Sequence, residues 1–256
     1  MGRAMPGRID IKLIGVGGIG CALVPFLARY LESESQVTGV AVRITLVDGD
    51  DFETRNAARQ SFEALGNKAK VKASELARSF PGVSFRAIPE FVTAANLPQL
   101  IGPGDLVFLA VDNHATRRVV SRRCEELSDV VLISGGNDLT DGNVQVYVRQ
   151  NGHDVTSPLT RFHPEIAEPK DKSPAEMSCE ELTLAAAPQL LFVNVTVASA
   201  MLNVFYAWRS GQLRYGEVYL DVVQGRAQPV ARAPAMERAS DERLGSRPGT
   251  IAESEP

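Results

Sequence analysis

Two hydrophobic rhythms alternate along most of the chain. Ile9-Asp-Ile-Lys-Leu-Ile14 is a short apolar-rich run stopped by glycines, the profile of a buried strand. Gly18 to Leu31 reads as a helix that Pro25 should kink, and Ser33 to Gly39 reads as a polar loop. Val40 to Val47, rich in β-branched residues, predicts a second strand, and Phe62 to Phe80 predicts a helix ended by Pro81-Gly82. Val83 to Ile88 predicts a third strand. After the Gly102-Pro-Gly-Asp105 turn, Leu106 to Val111 is a continuous apolar run of the central parallel kind. His114 to Leu127 predicts a helix, Val130 to Ser134 a strand, Asn143 to Arg149 an alternating strand, and Gly216 to Val223 a last one.

Strands alternating with helices of this length specify an α/β fold, a Rossmann-like twisted sheet with a parallel first half and an antiparallel second half. It would form one domain over residues 1–223. Within it, 151–181 is polar, proline-rich and irregular, a crossover of the length that carries function. Leu182 to Trp208 contains no charged residue and could span a bilayer by length. Pro188, Gln189, Asn194, Thr196 and Asn203 interrupt it, and a buried helix is the expectation, with no membrane partner. Beyond Gln224 few apolar residues exceed Ala or Val in size, so 224–256 is expected to be a disordered tail.

The 256 residues, 44% of them hydrophobic, suffice for one sizeable core, and the net charge of −4 argues against nucleic acid as the main partner. Cys21, Cys124 and Cys179 are widely spaced with no CxxC pair, so neither a disulfide framework nor structural zinc is expected. A reducing, cytoplasmic setting fits, and the first residues carry no signal-peptide pattern.

Chemistry enters at Gly15-Val-Gly17-Gly18-Ile-Gly20, which follows the first strand and opens the first helix. Glycines there let the backbone approach a phosphate, and the helix N-terminus supplies free N–H groups and a positive dipole end. NAD, FAD and ATP are all served by such a loop. Asp48, ending the second strand, is placed to take a ribose hydroxyl pair, but its spacing does not choose among them. Arg59 and Lys68 could neutralise a triphosphate, a requirement that a nicotinamide site lacks. Asp112-Asn113 ends the fourth strand, where a carboxylate can hold Mg²⁺ against phosphates.

Taken in order, these elements resemble the ThiF/MoeB/ubiquitin-activating superfamily over roughly residues 9–205. The shared features are the glycine loop, Asp48 and Asp50, Asn56-Ala-Ala-Arg59-Gln60, Gly66-Asn-Lys68-Ala, Asp112-Asn113 with Arg117, and Ser178-Cys179-Glu180. The resemblance implies ATP and Mg²⁺ as cofactors. Asp48 would bind the ribose, Asn56, Arg59 and Lys68 the phosphates, and Asp112 the metal, with Asp50, Gln60 and Asn113 completing the nucleotide site. It implies an enzyme that adenylates the C-terminal glycine carboxylate of a ubiquitin-like or sulfur-carrier β-grasp protein. A homodimer is implied as well, with a downstream conjugating enzyme as a further partner. Ala57 replaces the family's leucine, and the paired CxxC zinc ligands of many relatives are absent. An NAD(P)-dependent oxidoreductase and a non-catalytic scaffold of the same fold are the alternatives.

Cys21 and Cys124 lie in predicted core helices and read as small packing residues. Cys179 sits in the crossover near a helix start, a setting that favours a thiolate despite Glu176, Glu180 and Glu181. In ubiquitin-activating relatives a cysteine there takes the acyl group as a thioester. His153 and His163 are expected to be exposed loop histidines.

Overall fold

The computed structural model describes residues 8–177 and 190–231. A nine-stranded sheet organises them, built from β1 (Arg8–Ile14), β2 (Ala41–Val47), β5 (Ser84–Ile88), β6 (Leu106–Leu109), β7 (Val130–Asn137), β8 (Asp141–Gln150), β9 (His153–Asp154), β10 (Glu217–Asp221) and β11 (Arg226–Val230). The spatial order is β11-β10-β8-β7-β6-β1-β2-β5, with β9 paired to β8. Pairings from β5 through β7 are parallel, and those of β8, β9, β10 and β11 are antiparallel. A separate two-stranded ribbon joins β3 (Asp51–Phe52) to β4 (Gly66–Asn67).

Each central strand is apolar on both faces because helices cover both. In β6, Leu106 and Phe108 enter one core while Val107 and Leu109 enter the other. The first core lies under α1 (Gly18–Thr38), α2 (Lys68–Ser79) and α6 (Leu191–Arg209). The second lies under α3 (Leu97–Leu100), α4 (His114–Glu125) and α5 (Pro164–Ala167). Helix α6 is long and apolar enough to cross a membrane, with a mean hydropathy of 1.5. Here it packs on the sheet through Val193, Val197, Met201, Val204 and Phe205, all buried.

Helices α1 and α6 run side by side in the same direction. Gly18 meets Asn194 at their starts, Tyr30 packs edge-on against Phe205 at 5.8 Å, and Glu34 pairs with Arg209 at their ends. Both N-termini therefore lie at the carboxyl edge of the parallel strands.

Four expectations are corrected. Ser33–Thr38 continues α1, and Gly39, left-handed at φ 72°, ends the helix. Residues 62–67 are not helical, because Phe62 stacks on Phe52 at 4.6 Å and β4 intervenes before α2. The expected tail begins with a strand, since Arg226–Val230 pairs with β10. His163 is buried rather than exposed, being 8% accessible between Glu165 and Glu217. Ser178-Cys179-Glu180, the first part of the expected apolar helix and residues 232–256 lie outside the described residues.

Candidate nucleotide site

Strand β1 has β2 on one side and β6 on the other, so the chain's direction of winding switches between β1 and β6. Ligands of open α/β sheets bind outside the carboxyl ends of strands at that point. The glycine loop and the turn after β6 meet there. Gly15 adopts φ 91°, and a Cβ on it would lie 2.6 Å from the Ala110 carbonyl oxygen. A Cβ on Gly20 would lie 2.2 Å from the Gly15 carbonyl oxygen, which is how closely α1 packs onto its own loop. Gly17 is different. The nearest atom to a Cβ there is Gln60 Nε2 at 3.9 Å, so this face of the loop is open.

Asp48 ties the loop to β2. Its Oδ2 accepts the Val16 N–H at 2.6 Å and its Oδ1 accepts the Asp50 N–H at 2.9 Å. Burial raises its carboxyl above the ordinary range, against the opposing pull of Lys68 and those two N–H groups. Lys68, the first residue of α2, is buried with its Nζ 2.8 Å from Asp50 Oδ2. Asn67 fixes that junction, donating to the carbonyls of Asp48 and Asp50 and capping α2 at the Lys70 N–H.

Asn56 and Gln60 are buried and Arg59 is half-buried. The Asn56 Oδ1 accepts the Glu53 N–H at 2.9 Å, so this side chain shapes the turn that presents Arg59 and Gln60. Asn113 likewise caps α4 by accepting the Thr116 N–H at 2.8 Å. Asp112 is exposed at the carboxyl end of β6. Arg117 is buried and structural. It donates to the carbonyls of Val111 and Gly135 and to Ser134 Oγ, pinning β6 to β7. Burial pulls its guanidinium down to about 10 against the nearby carboxylates of Asp112, Asp171 and Asp138.

Two features escaped the sequence reading. Asp171, from the crossover, caps α4 by accepting the N–H groups of His114 and Ala115 at 2.6 and 3.2 Å, next to Asp112. No local pattern announces that pairing. Asn194 presses on Gly18 from α6, and its one visible signal is being a polar residue inside an uncharged apolar stretch.

The ThiF family model matches residues 7–235. The chain belongs to the ThiF family. It is 29% identical over 161 residues to the molybdopterin-synthase adenylyltransferase of Escherichia coli (strain K12), covering 61% of each chain. It is 33% identical over 150 residues to the adenylyltransferase and sulfurtransferase MOCS3 of Sus scrofa, covering 57% of this chain and 31% of that one. Thus it spans about three-fifths of the bacterial relative's length or less in the relatives named here. In fold it superposes on E. coli MccB crystallised with AMPCPP and MccA, with a TM-score of 0.64 at 18% identity. That match covers 90% of this chain and 66% of MccB. PaaA gives a TM-score of 0.64 at 18% identity, covering 88% and 64%.

Proposed function

We propose that this chain binds ATP at the Gly15–Gly20 loop and adenylates the C-terminal glycine carboxylate of a ubiquitin-like or sulfur-carrier protein. The observation that carries the reading is convergence. The open Gly17 face, the Asp48–Lys68 junction and Asp112 all belong to the carboxyl ends of adjacent parallel strands in a ThiF-family fold. The adenylyltransferase relatives support it.

In this reading a carboxylate oxygen of the carrier attacks the α-phosphorus, the bond to the bridging oxygen breaks, and pyrophosphate leaves an acyl-adenylate. The nucleophile is already ionised, so the chain need only position it and neutralise charge. Lys68 and Arg59 serve the phosphates, and Asp48 serves the ribose. A magnesium ion would supply charge neutralisation across the phosphates. Asp112 is the residue to hold it, since one or two carboxylates plus phosphates suffice for that ion. A following step on Cys179, in which the thiolate takes the acyl group and releases AMP, belongs to the same proposal.

A homodimer in the cytoplasm is proposed for the assembly. Phe26 and Tyr30 on α1 and Phe192, Val195 and Tyr206 on α6 recur at helical spacing and remain exposed in the single chain, an apolar face of the kind that a second subunit covers.

The test is ATP–pyrophosphate exchange with a β-grasp carrier ending in glycine, alongside titration with Mg²⁺-ATP and NADH. Carrier-dependent exchange is expected, and Asp112→Ala should remove it with the fold intact by circular dichroism. Tight NADH binding with no response to ATP would sink the reading.

A further inference from the structure

Asn194 is polar, wholly buried and without a side-chain hydrogen bond. It lies in the first turn of α6 with 0% of its surface accessible, and neither its Nδ2 nor its Oδ1 has a hydrogen-bond partner. Leaving a buried carboxamide unpaired destabilises the fold. The buried neighbours along α6 are Val193, Val197, Ala198 and Met201, so an apolar side chain would be the ordinary occupant.

Its position points to a use. A Cβ on Gly18 would lie 2.1 Å from Asn194 Nδ2 and 3.0 Å from its Oδ1, so the carboxamide rests directly on the first turn of α1. Gln60 approaches the preceding residue. Its Nε2 lies 3.9 Å from a Cβ built on Gly17, and its Oε1 is also buried without a partner. Of these unpaired carboxamide atoms Asn194 Nδ2 is the donor, the kind of group that an anion on the loop's free N–H groups satisfies. Any side chain on Gly18 would displace the Asn194 carboxamide.

We propose that Asn194 is a phosphate contact of the nucleotide site, its Nδ2 donating to a phosphate oxygen seated on the first turn of α1. A bound nucleotide would give this Nδ2 an acceptor. The inference rests on the ATP reading above and adds a residue to it from the far end of the chain, on a helix that no phosphate motif includes. The stability that the unpaired carboxamide costs would be recovered as affinity.

The test pairs two measurements that a purely structural residue would move the other way. Asn194→Leu keeps the shape and removes the polar atoms. Without nucleotide its denaturation midpoint should equal or exceed that of the wild type, while Mg²⁺-ATP binding by titration calorimetry should weaken by about tenfold or more. Asn194→Asp keeps the size but sets a carboxylate against the phosphates, and should bind more weakly still. If Asn194→Leu does not fold, the affinity of Asn194→Ala decides. Binding by the folded apolar variant within about twofold of wild type overturns the assignment. So does a less stable Asn194→Leu that binds normally, which would show the carboxamide already satisfied. Failure of the wild type itself to bind Mg²⁺-ATP overturns the parent reading, and this one with it.

Discussion

The ammonium of Lys68, 8% exposed, reaches the half-exposed carboxylate of Asp50 at 2.8 Å. A buried cation needs such a partner, and Asp50 provides it. An incoming triphosphate would supply a second anionic partner. Lys68→Met should therefore lower ATP–pyrophosphate exchange by about 10²–10³-fold, the range for removing one fixed electrostatic group. Asp50→Asn makes the sharper forecast. It should lower the melting temperature without nucleotide, and saturating Mg²⁺-ATP should raise it by more than in the wild type. An equal nucleotide-induced shift in both proteins would mean that Lys68 and the phosphates do not meet.

Gly17 and Gly20 belong to one loop but should fail in different ways. A methyl on Gly20 has the Gly15 carbonyl oxygen 2.2 Å away, so Gly20→Ala forces backbone to move and should cost about 1–3 kcal/mol in chemical denaturation. A methyl on Gly17 meets nothing closer than 3.9 Å and lies on the open face. Gly17→Ala should keep wild-type stability and lose nucleotide affinity. If both variants lose stability and keep affinity, the ligand does not sit on this loop.

The sheet was legible because burial on both faces writes strands as unbroken apolar runs, as in Leu106–Leu109. The candidate site's place was legible because the glycine loop and Asp48 directly follow β1 and β2. What stayed hidden was set by neighbours. Polar Ser33–Thr38 looks like a loop, but it is the solvent-facing end of a helix stopped by Gly39. Arg226-Ala-Gln-Pro-Val230 lacks a strand's alternation because it forms an exposed edge, where Pro229 needs no donor toward a further strand. Asn56 and Asn113 stand in the expected nucleotide site, and what the sequence does not show is that their side-chain oxygens also accept backbone N–H groups. Asn194 showed only as an interruption in an apolar run, and its neighbour Gly18 is far away in sequence.

His163 should give the protein a pH-dependent increment of stability. Its Nδ1 lies 2.7 Å from Glu165 and its Nε2 2.8 Å from Glu217, which also accepts from Asn143 at 3.0 Å. Burial lowers the imidazole's pKa, but the two carboxylates outweigh it, and the net shift is upward from the ordinary 6.5. A raised folded value means that the native state holds the proton more tightly than the unfolded chain. The increment is complete below 6.5 and is lost as pH rises through the folded value. His163→Gln should flatten the denaturation midpoint across that window. An unchanged slope would show that the carboxylates do not hold the proton on this ring.

Thiol chemistry, if the reaction includes it, should fall on Cys179. Burial pushes the Cys21 thiol up to about 12 and raises that of Cys124 as well, and both side chains are enclosed in the core. Neither can present a thiolate to an acyl-adenylate at neutral pH, because the nucleophile is the ionised form. Cys179 lies in the crossover, outside the described residues, and Arg59, Lys68 and Asp112, the groups proposed for adenylation, belong to other elements. The two steps should separate by mutation. Cys179→Ala should keep pyrophosphate exchange within about twofold of wild type, since no charge-stabilising group is touched. It should abolish a carrier adduct that survives non-reducing electrophoresis and is cleaved by dithiothreitol. An adduct that persists in Cys179→Ala, and disappears only when Cys21 or Cys124 is replaced, would place the acceptor in the core and contradict the burial of those thiols. A wild type that exchanges pyrophosphate but never forms the adduct would end the reaction at the acyl-adenylate and remove the thioester step from the mechanism.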